Sequence, residues 1–405
     1  MRCYIVGGAV RDELLGLPVK DRDWVVVGET SKTMLARGFR QVGRDFPVFL
    51  HPETHEEYAL ARTEKKTGRG YTGFTVHASP DITLEEDLAR RDLTINAIAR
   101  AQDGRLIDPH GGRNDLEARV FRHVGPAFAE DPVRILRLAR FSARYPDFSV
   151  APETIALMRN MVAAGEIDHL VPERVWQEIS RGLMEIRPSR MIVVLRECGA
   201  LSRLLPEVDC LFGIPQPEQY HPKIDTGKHV LMVIDEAAKR RFALAVRWAC
   251  LLHDLGKGLT PVEILPHHFG HEKTSAQLAE SVSRRLKAPA ECTDIAVLVA
   301  KEHGIIGNFS ALRPGKIVTV LERCDALRRS ERFDRLLEAC LCDQMGRACS
   351  NEKPPWTVPD LWRKALKIIK SIDAAAIAQA CADKKNISAA LHQARTDALK
   401  RHGVI

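Results

Sequence analysis

The chain has 405 residues, which at roughly 100–200 residues per domain predicts about two to four domains. Hydrophobic residues make up 45% of the sequence and charged residues 28%, so a disordered, collagen-like or fibrous chain is excluded. The net charge of +7 suits an anionic partner such as RNA or a nucleotide, although many enzymes carry a similar excess.

Neither a targeting segment nor a membrane span is predicted. The apolar run in the opening residues is too short for a signal peptide, and no stretch approaches the ~20 apolar residues of a transmembrane helix. The 10 cysteines form no C-x-x-C pair, and their scatter is typical of packed thiols in a reducing compartment. We therefore expect a cytoplasmic protein with no membrane partner.

The chain has two parts with different patterns of apolar residues. Short β-rich runs predict strands at residues 3–6, 23–27, 48–50 and 57–61, with a helix-like piece at 30–38. From about residue 115 the spacing of apolar residues is helical. These patterns predict an α+β fold, with a small mixed β-sheet in the head and helices elsewhere. The expected bounds are 1–125 for the head, 126–215 for a helical neck and body, 228–330 for a second helical domain and 331–405 for a helical tail.

A glycine pair follows the first predicted strand. Gly7 and Gly8 allow the backbone to approach a phosphate group, and the helix expected after them presents free N–H groups. Arg11 adds a cation for phosphate oxygens. The alternative is an ordinary tight turn before a helix.

Two acidic residues stand at the start of the next predicted strand. Asp21 and Asp23 are two positions apart, so on a strand their side chains point to the same face. Two carboxylates held side by side repel each other unless a cation lies between them. The pattern indicates Mg²⁺ bound over a nucleoside triphosphate for phosphoryl or nucleotidyl transfer, and the alternative is a solvated turn.

A third motif, basic and polar, occupies residues 90–97. Arg91 can clamp a triphosphate, with Asp92 and Asn96 holding the ribose or orienting the arginine. The alternative is the start of a basic helix with an ordinary ion pair.

Together the three motifs resemble the nucleotidyltransferase superfamily that includes CCA-adding enzymes and bacterial poly(A) polymerases. The runs at residues 43–49 and 57–64 are similar too, and the likeness spans nearly the whole chain, as in bacterial class II tRNA nucleotidyltransferases of the long form with an HD domain. The resemblance implies that Asp21 and Asp23 bind Mg²⁺. It implies three residues that bind the nucleotide: Gly8, Arg11 and Arg91. It also implies a third acidic residue (Glu57), a residue that couples head to neck (Asp108) and a flexible loop (65–73).

Three arginines recur at every third position of a predicted helix. Arg134, Arg137 and Arg140 spread across one face, while Ile135 and Leu138 face the other way, toward a core. A solvated basic face is the alternative.

The resemblance gives this helix a role in choosing the base. Asp131 and Arg134 would form a protein template that reads C and A, because a carboxylate accepts and a guanidinium donates hydrogen bonds. The carboxylate would take the exocyclic amine that C and A share, which excludes U and G. Arg137 and Arg140 would hold nucleotide phosphate or reinforce the template.

A second cluster surrounds the adjacent pair His253 and Asp254. With His229 upstream and Asp343 downstream, the pair resembles the metal-binding set of HD phosphohydrolases. Imidazole and carboxylate ligands suit Ni²⁺, Mn²⁺ or a similar divalent metal, which would activate water against a phosphate ester. Two further histidines are secondary candidates for binding phosphate: His271 and His303. The alternative is a degenerate HD domain kept as a scaffold.

The activity implied by the resemblance is addition and repair of the 3′-terminal CCA of tRNA. CTP and ATP would be the nucleotide substrates, pyrophosphate would be released, and the helical parts would grip the acceptor arm of tRNA. The HD domain would add phosphatase, 2′-nucleotidase and 2′,3′-cyclic phosphodiesterase activity. The expected assembly is a monomer or an HD-mediated homodimer. The alternatives are a poly(A) polymerase, or an RNA-binding scaffold with only HD hydrolase activity.

Overall fold

A computed structural model describes residues 1–42, 48–66, 74–217, 225–347 and 356–403. The chain divides into two compact units, the first comprising Met1–Ile179 and Arg190–Leu204, the second Ser180–Ser189 and Leu205–Ile405. Across the described ranges, no helix combines the length and the apolar character needed to cross a bilayer. The predicted α+β class is confirmed, because strands dominate the start of the chain and helices the remainder.

The strands among the described residues all lie in the first unit. They are β1 (Arg2–Val6), β2 (Asp23–Val27), β3 (Arg40–Val42), β4 (Val48–Leu50), β5 (Glu57–Leu60), β6 (Arg62–Lys66), β7 (Phe74–Ala78), β8 (Ala99–Ala101), β9 (Leu106–Ile107), β10 (Val120–Phe121) and β11 (Ser149–Val150). Seven form one mixed sheet in the order β3-β4-β5-β2-β1-β8-β9, while β6 pairs with β7 and β10 with β11. The strands predicted from sequence are confirmed to within one residue at each end.

Alternation along β2 builds a core on each face of this sheet. Val25 and Val27 pack on one face with Val6 and Leu88, whereas Val26 packs on the other. Because side chains alternate along a strand, Asp23 shares the face of Val25 and Val27. The parallel register pairs Asp23 with Glu57 of β5, so both carboxylates stand on the same side of the sheet.

The helices that begin in the first unit are α1 (Gly8–Leu14), α2 (Ser31–Ala36), α3 (Leu84–Ala89), α4 (Gly112–Ala118), α5 (Val133–Arg144), α6 (Pro152–Ala163), α7 (Pro172–Leu183) and α9 (Ala200–Leu204), with α8 (Ser189–Glu197) starting at the boundary. The second unit contains α10 (Pro206–Asp209), α11 (Thr226–Lys239), α12 (Leu244–Leu252), α13 (His271–Arg285), α14 (Ala290–Gly307), α15 (Pro314–Arg323), α16 (Ser330–Gly346), α17 (Val358–Lys370), α18 (Ala374–Ala380) and α19 (Ile387–Arg401).

Buried tryptophans mark the core of the second unit. Trp248 of α12 is fully buried and donates from Nε1 to Ser283 Oγ at 2.9 Å. Trp362 of α17 lies edge-on to Phe309 and Phe333, with ring centroids 4.9 and 5.9 Å away. Helix α16 packs against α11, α12 and α14, which brings the late part of the chain beside the earlier histidines.

The cysteines were expected to be packed thiols, and this is wrong at two positions. All nine described cysteines are free, and most are buried, but Cys210 is exposed and Cys381 is half-buried. The tenth, Cys349, lies outside the described residues.

Candidate functional site

The predicted carboxylate pair lies at the start of β2. Asp23 is the first residue of the strand, as predicted, and Asp21 lies two residues before it. Glu57 is the register partner of Asp23, whereas the adjacent Glu56 accepts a 3.0 Å hydrogen bond from Trp24 Nε1. Glu57 and not Glu56 therefore shares the face of Asp23.

The charges around Asp23 suit a bound cation. Partial desolvation of its carboxyl raises the pKa of Asp23, the nearby charge of Asp21 raises it further, and Arg91 opposes both. A divalent ion would stabilise the ionised carboxylate of Asp23, and oxygen ligands are those that Mg²⁺ prefers. Asp21 and Asp23, with Glu57 beside them, therefore fit a hard divalent cation by the chemistry of their donor atoms.

Arg91 approaches the turn that follows β1. Gly7 has φ +70°, and a Cβ built there would lie 3.0 Å from Arg91 Nη1, so glycine meets both the backbone angle and the close approach. Arg91 Nη2 donates to Asp87 Oδ2 at 3.2 Å. Burial opposes ionisation of Asp87, but the charges of Arg90 and Arg91 prevail and lower its pKa. Asp87, which no sequence motif indicates, thus fixes Arg91.

Arg11 is buried and held from several sides. Its Nε and Nη2 donate to Asp12 Oδ1 at 2.9 and 2.7 Å, and its Nη1 donates to Asn96 Oδ1 at 2.6 Å. The guanidinium also lies 5.0 Å from the centre of the Phe141 ring, and Tyr145 Oη donates to Asp12 Oδ1 at 2.7 Å. The helix after the glycine pair therefore carries a fixed cation.

Asp92 connects this arginine to helix α5. Its Oδ1 accepts from Asn96 Nδ2 at 3.0 Å and from the Leu93 N–H at 2.8 Å, and its Oδ2 accepts from Arg137 Nε at 2.9 Å. Burial opposes ionisation, but Arg137 and the hydrogen bonds prevail and lower the pKa of Asp92. Arg91 Nη1 donates to the backbone carbonyl oxygen of Asn96 at 3.4 Å, while the side chains of Asp92 and Asn96 hold Arg137 and Arg11.

The proposed template residues lie at the start of α5. Asp131 Oδ1 caps the helix by accepting from the Val133 N–H at 3.1 Å. Arg174 of α7 donates to both Asp131 oxygens, at 3.2 and 2.7 Å. Arg134 Nη1 donates to the carbonyl oxygen of Ala127 at 2.8 Å. Asp131 and Arg134 are thus each anchored by a partner that no sequence motif indicates, Arg174 and the Ala127 carbonyl group.

The other two arginines of α5 are ion-paired. Arg137 pairs with Asp92, while Arg140 Nε donates to Glu178 Oε2 at 2.6 Å and the Arg140 guanidinium lies 4.6 Å from the Phe141 ring centre. Ile135 and Leu138 are buried, as the helical pattern predicts. Glu178 follows Arg140 by 38 residues, so no local spacing signals the pair.

Three predicted features remain: Asp108, the run at residues 43–49 and the loop at residues 65–73. Asp108 accepts from the N–H groups of Gly112 and Arg113 at 2.7 and 2.9 Å, and so caps helix α4. The run at residues 43–49 and the loop at 65–73 fall mostly outside the described residues.

The second unit brings the HD residues together. One ligand atom from each of His229, His253 and Asp343 lies within 4.8 Å of the others. Asp343 Oδ1 is 2.9 Å from His229 Nε2 and 3.7 Å from His253 Nε2, and Asp254 Oδ2 is 3.2 Å from His253 Nε2. The four predicted residues therefore form one buried cluster.

The orientation of His253 and the buried polar atoms of the cluster suit a metal. His253 Nδ1 donates to the carbonyl oxygen of Cys250 at 2.8 Å, so Nε2 is the ring nitrogen that faces the carboxylates of Asp254 and Asp343. His253 Nε2 and Asp254 Oδ1 are buried without a hydrogen-bond partner. Buried polar atoms of this kind are costly unless something binds them, so the donor set fits a divalent metal.

Two cations neutralise the buried carboxylates. Lys257 Nζ donates to Asp254 Oδ2 at 2.7 Å and to Gln216 Oε1 at 2.8 Å, and Arg347 Nη2 donates to Asp343 Oδ2 at 2.5 Å. Burial opposes ionisation of both carboxyl groups, but these cations and the histidines lower their pKa values. The close sequence spacing of each pair is the signal that could have revealed Lys257 and Arg347.

The remaining histidines differ in position. His271 and His303 lie beside Asp254 and form a second group with it, within 4.8 Å. His268 is engaged at both ring nitrogens, by Thr260 Oγ1 at 2.7 Å and the Pro215 carbonyl oxygen at 2.9 Å. His267 is exposed and stacks on Phe269. Only the first two histidines of this set reach the cluster.

Family models match three consecutive parts of the chain. Residues 3–122 match the "Poly A polymerase head domain", residues 147–211 the "Probable RNA and SrmB- binding site of polymerase A", and residues 226–332 the "HD domain". The first match contains the carboxylates of β2 and the third contains His229, His253 and Asp254. Asp343, the fourth residue of the candidate metal cluster, lies beyond the third match.

Similar proteins are known over the full length. A "Multifunctional CCA protein" of Azoarcus sp. (strain BH72) is 68% identical over 99% of this chain and 97% of its own length, and one of Aromatoleum aromaticum is 67% identical over 99% of each chain. The CCA-adding enzyme of Bacillus stearothermophilus, solved with CTP, shares the fold with a TM-score of 0.63 and 24% identity, covering 99% of this chain and 89% of that one. The Thermotoga maritima CCA-adding enzyme, solved with tRNA, has a TM-score of 0.59 and 20% identity over 98% and 86%. The chain belongs to the family of multifunctional CCA proteins.

Proposed function

We propose that the protein adds and repairs the 3′-terminal CCA of tRNA from CTP and ATP, without a nucleic-acid template, and releases pyrophosphate. The observation that carries the proposal is the pairing of Asp23 with Glu57 where strands β2 and β5 begin. The charges of Asp21 and Arg91 both act on the Asp23 carboxyl group. Carboxylates for a divalent cation next to a guanidinium for phosphate are what nucleotidyl transfer requires. The names of the relatives support the same activity.

In this reaction the 3′-hydroxyl oxygen of tRNA bonds to the α-phosphorus of CTP or ATP, the hydroxyl proton is released, and the bond to pyrophosphate breaks. Asp21 and Asp23 would hold Mg²⁺, which would lower the pKa of the hydroxyl group and offset charge developing on the phosphate. Gly8, Arg11 and Arg91 would bind the triphosphate. Arg91 is fixed by Asp87, so its guanidinium is already positioned before substrate binds.

Base selection would rest on Asp131 and Arg134. A carboxylate has about four lone-pair positions. Asp131 uses two on Oδ1, for Val133 and Arg174, and one on Oδ2, for Arg174. One acceptor position on Oδ2 therefore remains for the exocyclic amine of C or A, which U and G do not present there. Arg137 and Arg140, each held by a carboxylate, would support the nucleotide or the template.

The HD cluster would supply a separate phosphohydrolase activity. His229, His253, Asp254 and Asp343 would hold Ni²⁺, Mn²⁺ or a similar ion, which would activate water against a phosphate ester. Phosphomonoesters, 2′-nucleotides and 2′,3′-cyclic phosphates are the proposed substrates. Lys257 sits against Asp254 and would keep that carboxylate ionised.

The proposed partners are the acceptor arm and 3′ end of tRNA, gripped by the helical neck and body at 126–215. The head would comprise residues 1–125, the HD domain 228–330 and the tail 331–405. The proposed location is the cytoplasm, and the proposed assembly is a monomer or an HD-mediated homodimer.

Nucleotide incorporation tests the main activity. Purified protein with Mg²⁺ is given each labelled nucleoside triphosphate separately, and in mixtures, with tRNA that lacks its 3′-terminal CCA. Asp21→Ala/Asp23→Ala should abolish incorporation, because the cation would lose its ligands. His253→Ala should leave incorporation within about twofold of wild type, because that side chain belongs to the other cluster.

Three results are distinguishable. Addition of C, C and then A supports the proposal. Long A tracts would instead indicate a poly(A) polymerase. Absence of incorporation by folded wild-type protein, together with hydrolysis of phosphate esters, would leave only the HD activity.

A further inference from the structure

An exposed aromatic residue lies close to the HD cluster. Phe269 is 81% exposed, the highest value among the large hydrophobic side chains of the described residues. It precedes His271 by two residues, and His271 Nε2 lies 3.3 Å from Asp254 Oδ1. Two residues span at most about 7 Å, so the backbone of Phe269 is near the proposed site of ester hydrolysis. Core packing does not explain this side chain, whereas its location fits the binding of a substrate.

One face of the Phe269 ring is already stacked. Its centroid lies 5.5 Å from that of His267, with an angle of 15° between the ring planes. Because the ring is still largely exposed, its other face is open to a planar ligand. Nucleic-acid bases stack on aromatic side chains, and every base offers a flat face for this contact. His267 and Phe269 together therefore form a stacking surface for a base.

His268 holds this stacking surface in place. Its Nδ1 lies 2.7 Å from Thr260 Oγ1, and its Nε2 donates to the Pro215 carbonyl oxygen at 2.9 Å. The second contact ties the segment of Phe269 to a segment more than 50 positions earlier in the chain. A group that is fixed before the ligand arrives loses less entropy on binding than a freely moving one.

Gln216, the residue after Pro215, has a buried amide group with an unused donor. The residue is 5% exposed, and its Nε2 has no hydrogen-bond partner among the described residues. Lys257 Nζ donates to Gln216 Oε1 at 2.8 Å and to Asp254 Oδ2 at 2.7 Å, so one side-chain group separates Gln216 from the HD pair.

The orientation of this amide follows from its neighbour. Because an ammonium group only donates, the amide oxygen of Gln216 faces Lys257, and its NH₂ group is the one without a partner. A buried donor without an acceptor is costly, and native structures rarely retain one without a reason. An oxygen atom of a ligand bound beside Asp254 would supply the missing acceptor.

We propose that Phe269 and Gln216 bind the substrate at the HD cluster, and that this substrate is a nucleotide at an RNA end or a nucleoside 2′,3′-cyclic phosphate. The base stacks on the open face of Phe269, and the Gln216 amide donates to an oxygen of the phosphate ester. Stacking favours nucleotides over esters that have no base, and it accepts any of the bases. The inference rests on the proposed HD function, for which it names the preferred class of ester.

Steady-state hydrolysis tests the role of Phe269. The full chain with Mn²⁺ is given 2′,3′-cyclic AMP, 2′,3′-cyclic CMP or glycerol 2-phosphate, which has no base. Phe269→Ala should raise KM for both cyclic nucleotides by about fivefold or more, and KM for glycerol 2-phosphate by less than about twofold, because only the base stacks. Phe269→Trp should keep the low KM. Val262→Ala is the matched control, since Val262 is 78% exposed outside the stacked pair.

A separate substitution tests Gln216. Gln216→Glu keeps an oxygen for Lys257 and replaces the NH₂ donor by a second oxygen. It should raise KM for all three esters by about tenfold or more, because a hydrogen bond to a charged phosphate is lost. Unchanged KM in Gln216→Glu would overturn the role of Gln216. Unchanged KM for the cyclic nucleotides in Phe269→Ala, or an equal rise for glycerol 2-phosphate, would overturn that of Phe269.

Binding measurements separate this inference from the proposed function. Calorimetry follows 2′-AMP binding to the full chain carrying Asp21→Ala/Asp23→Ala, with Mn²⁺ present. No hydrolysis by the wild type, with 2′-AMP binding weakened by Phe269→Ala, would support the base site and remove the hydrolase. Hydrolysis with the same KM in wild type and Phe269→Ala would leave the hydrolase and overturn the base site. Conversion of a dimer to a monomer by Phe269→Ala, with KM unchanged, would instead assign the residue to an interface between two copies.

Discussion

Replacing Gly256 by alanine tests how the HD cluster is built. The new Cβ would lie 2.4 Å from the His271 carbonyl oxygen and 2.8 Å from the Ser275 nitrogen, against an ordinary contact of 3.4–4 Å. Both atoms belong to the backbone of α13, so the start of that helix must move by about 1 Å. Overpacking of this kind costs about 1–3 kcal/mol. The displaced atoms include His271, so the geometry around Asp254 changes with them.

We expect Gly256→Ala to lower hydrolysis of bis(p-nitrophenyl) phosphate with Mn²⁺ or Ni²⁺ by at least tenfold, since a misplacement of about 1 Å can cost about 100-fold in rate. CCA addition should stay within about twofold. Gly307→Ala is the matched control, because nothing lies within 4 Å of its Cβ position, and its unfolding temperature and hydrolysis should change little. Unchanged hydrolysis and unfolding temperature in Gly256→Ala would refute the argument that this glycine positions α13.

Three further perturbations follow from the same contacts. Asp92→Asn removes the buried charge that holds Arg137. It should lower the free energy of unfolding in urea by about 1–3 kcal/mol, because the partly exposed arginine regains water, and it should lower nucleotide incorporation by at least tenfold. Unchanged stability together with unchanged incorporation would contradict the role of Asp92. Burial and the Asp12 hydrogen bond raise the pKa of Tyr145 to about 12. Between about pH 10 and pH 12 the unfolded state therefore loses the phenol proton while the folded state keeps it. The stability that this group contributes below about pH 10 is lost as the pH rises toward 12. Tyr145→Phe should reduce this alkaline loss by about 1–2 kcal/mol in unfolding measured from pH 9 to pH 12, and an identical profile would exclude the residue as its source. Removal of metal by EDTA should abolish both CCA addition and ester hydrolysis. Mg²⁺ should restore CCA addition, and Mn²⁺ or Ni²⁺ should restore ester hydrolysis. An activity that persists in EDTA would show that it needs no metal.

The sequence by itself determined the elements and the identities of the chemical groups. Strand β2 and its carboxylates were predictable because alternation and turn residues act over a few positions. The buried side of α5 was predictable because helical periodicity places Ile135 and Leu138 together. The His253–Asp254 pair was recognisable from adjacent residues and from resemblance.

Only the tertiary structure decided which of these groups meet. Arg140 pairs with Glu178, 38 positions away in the sequence, and Arg137 pairs with Asp92, 45 positions away. Residue spacing does not indicate ion pairs over such separations. His271 and His303 reach the same oxygen of Asp254 because Gly256 permits close packing of α13. Local sequence patterns determine which face of a helix or strand is buried. A buried charge needs a partner because an unpaired charge in the interior is costly. Which residue becomes that partner depends on how elements that are distant in the sequence pack together.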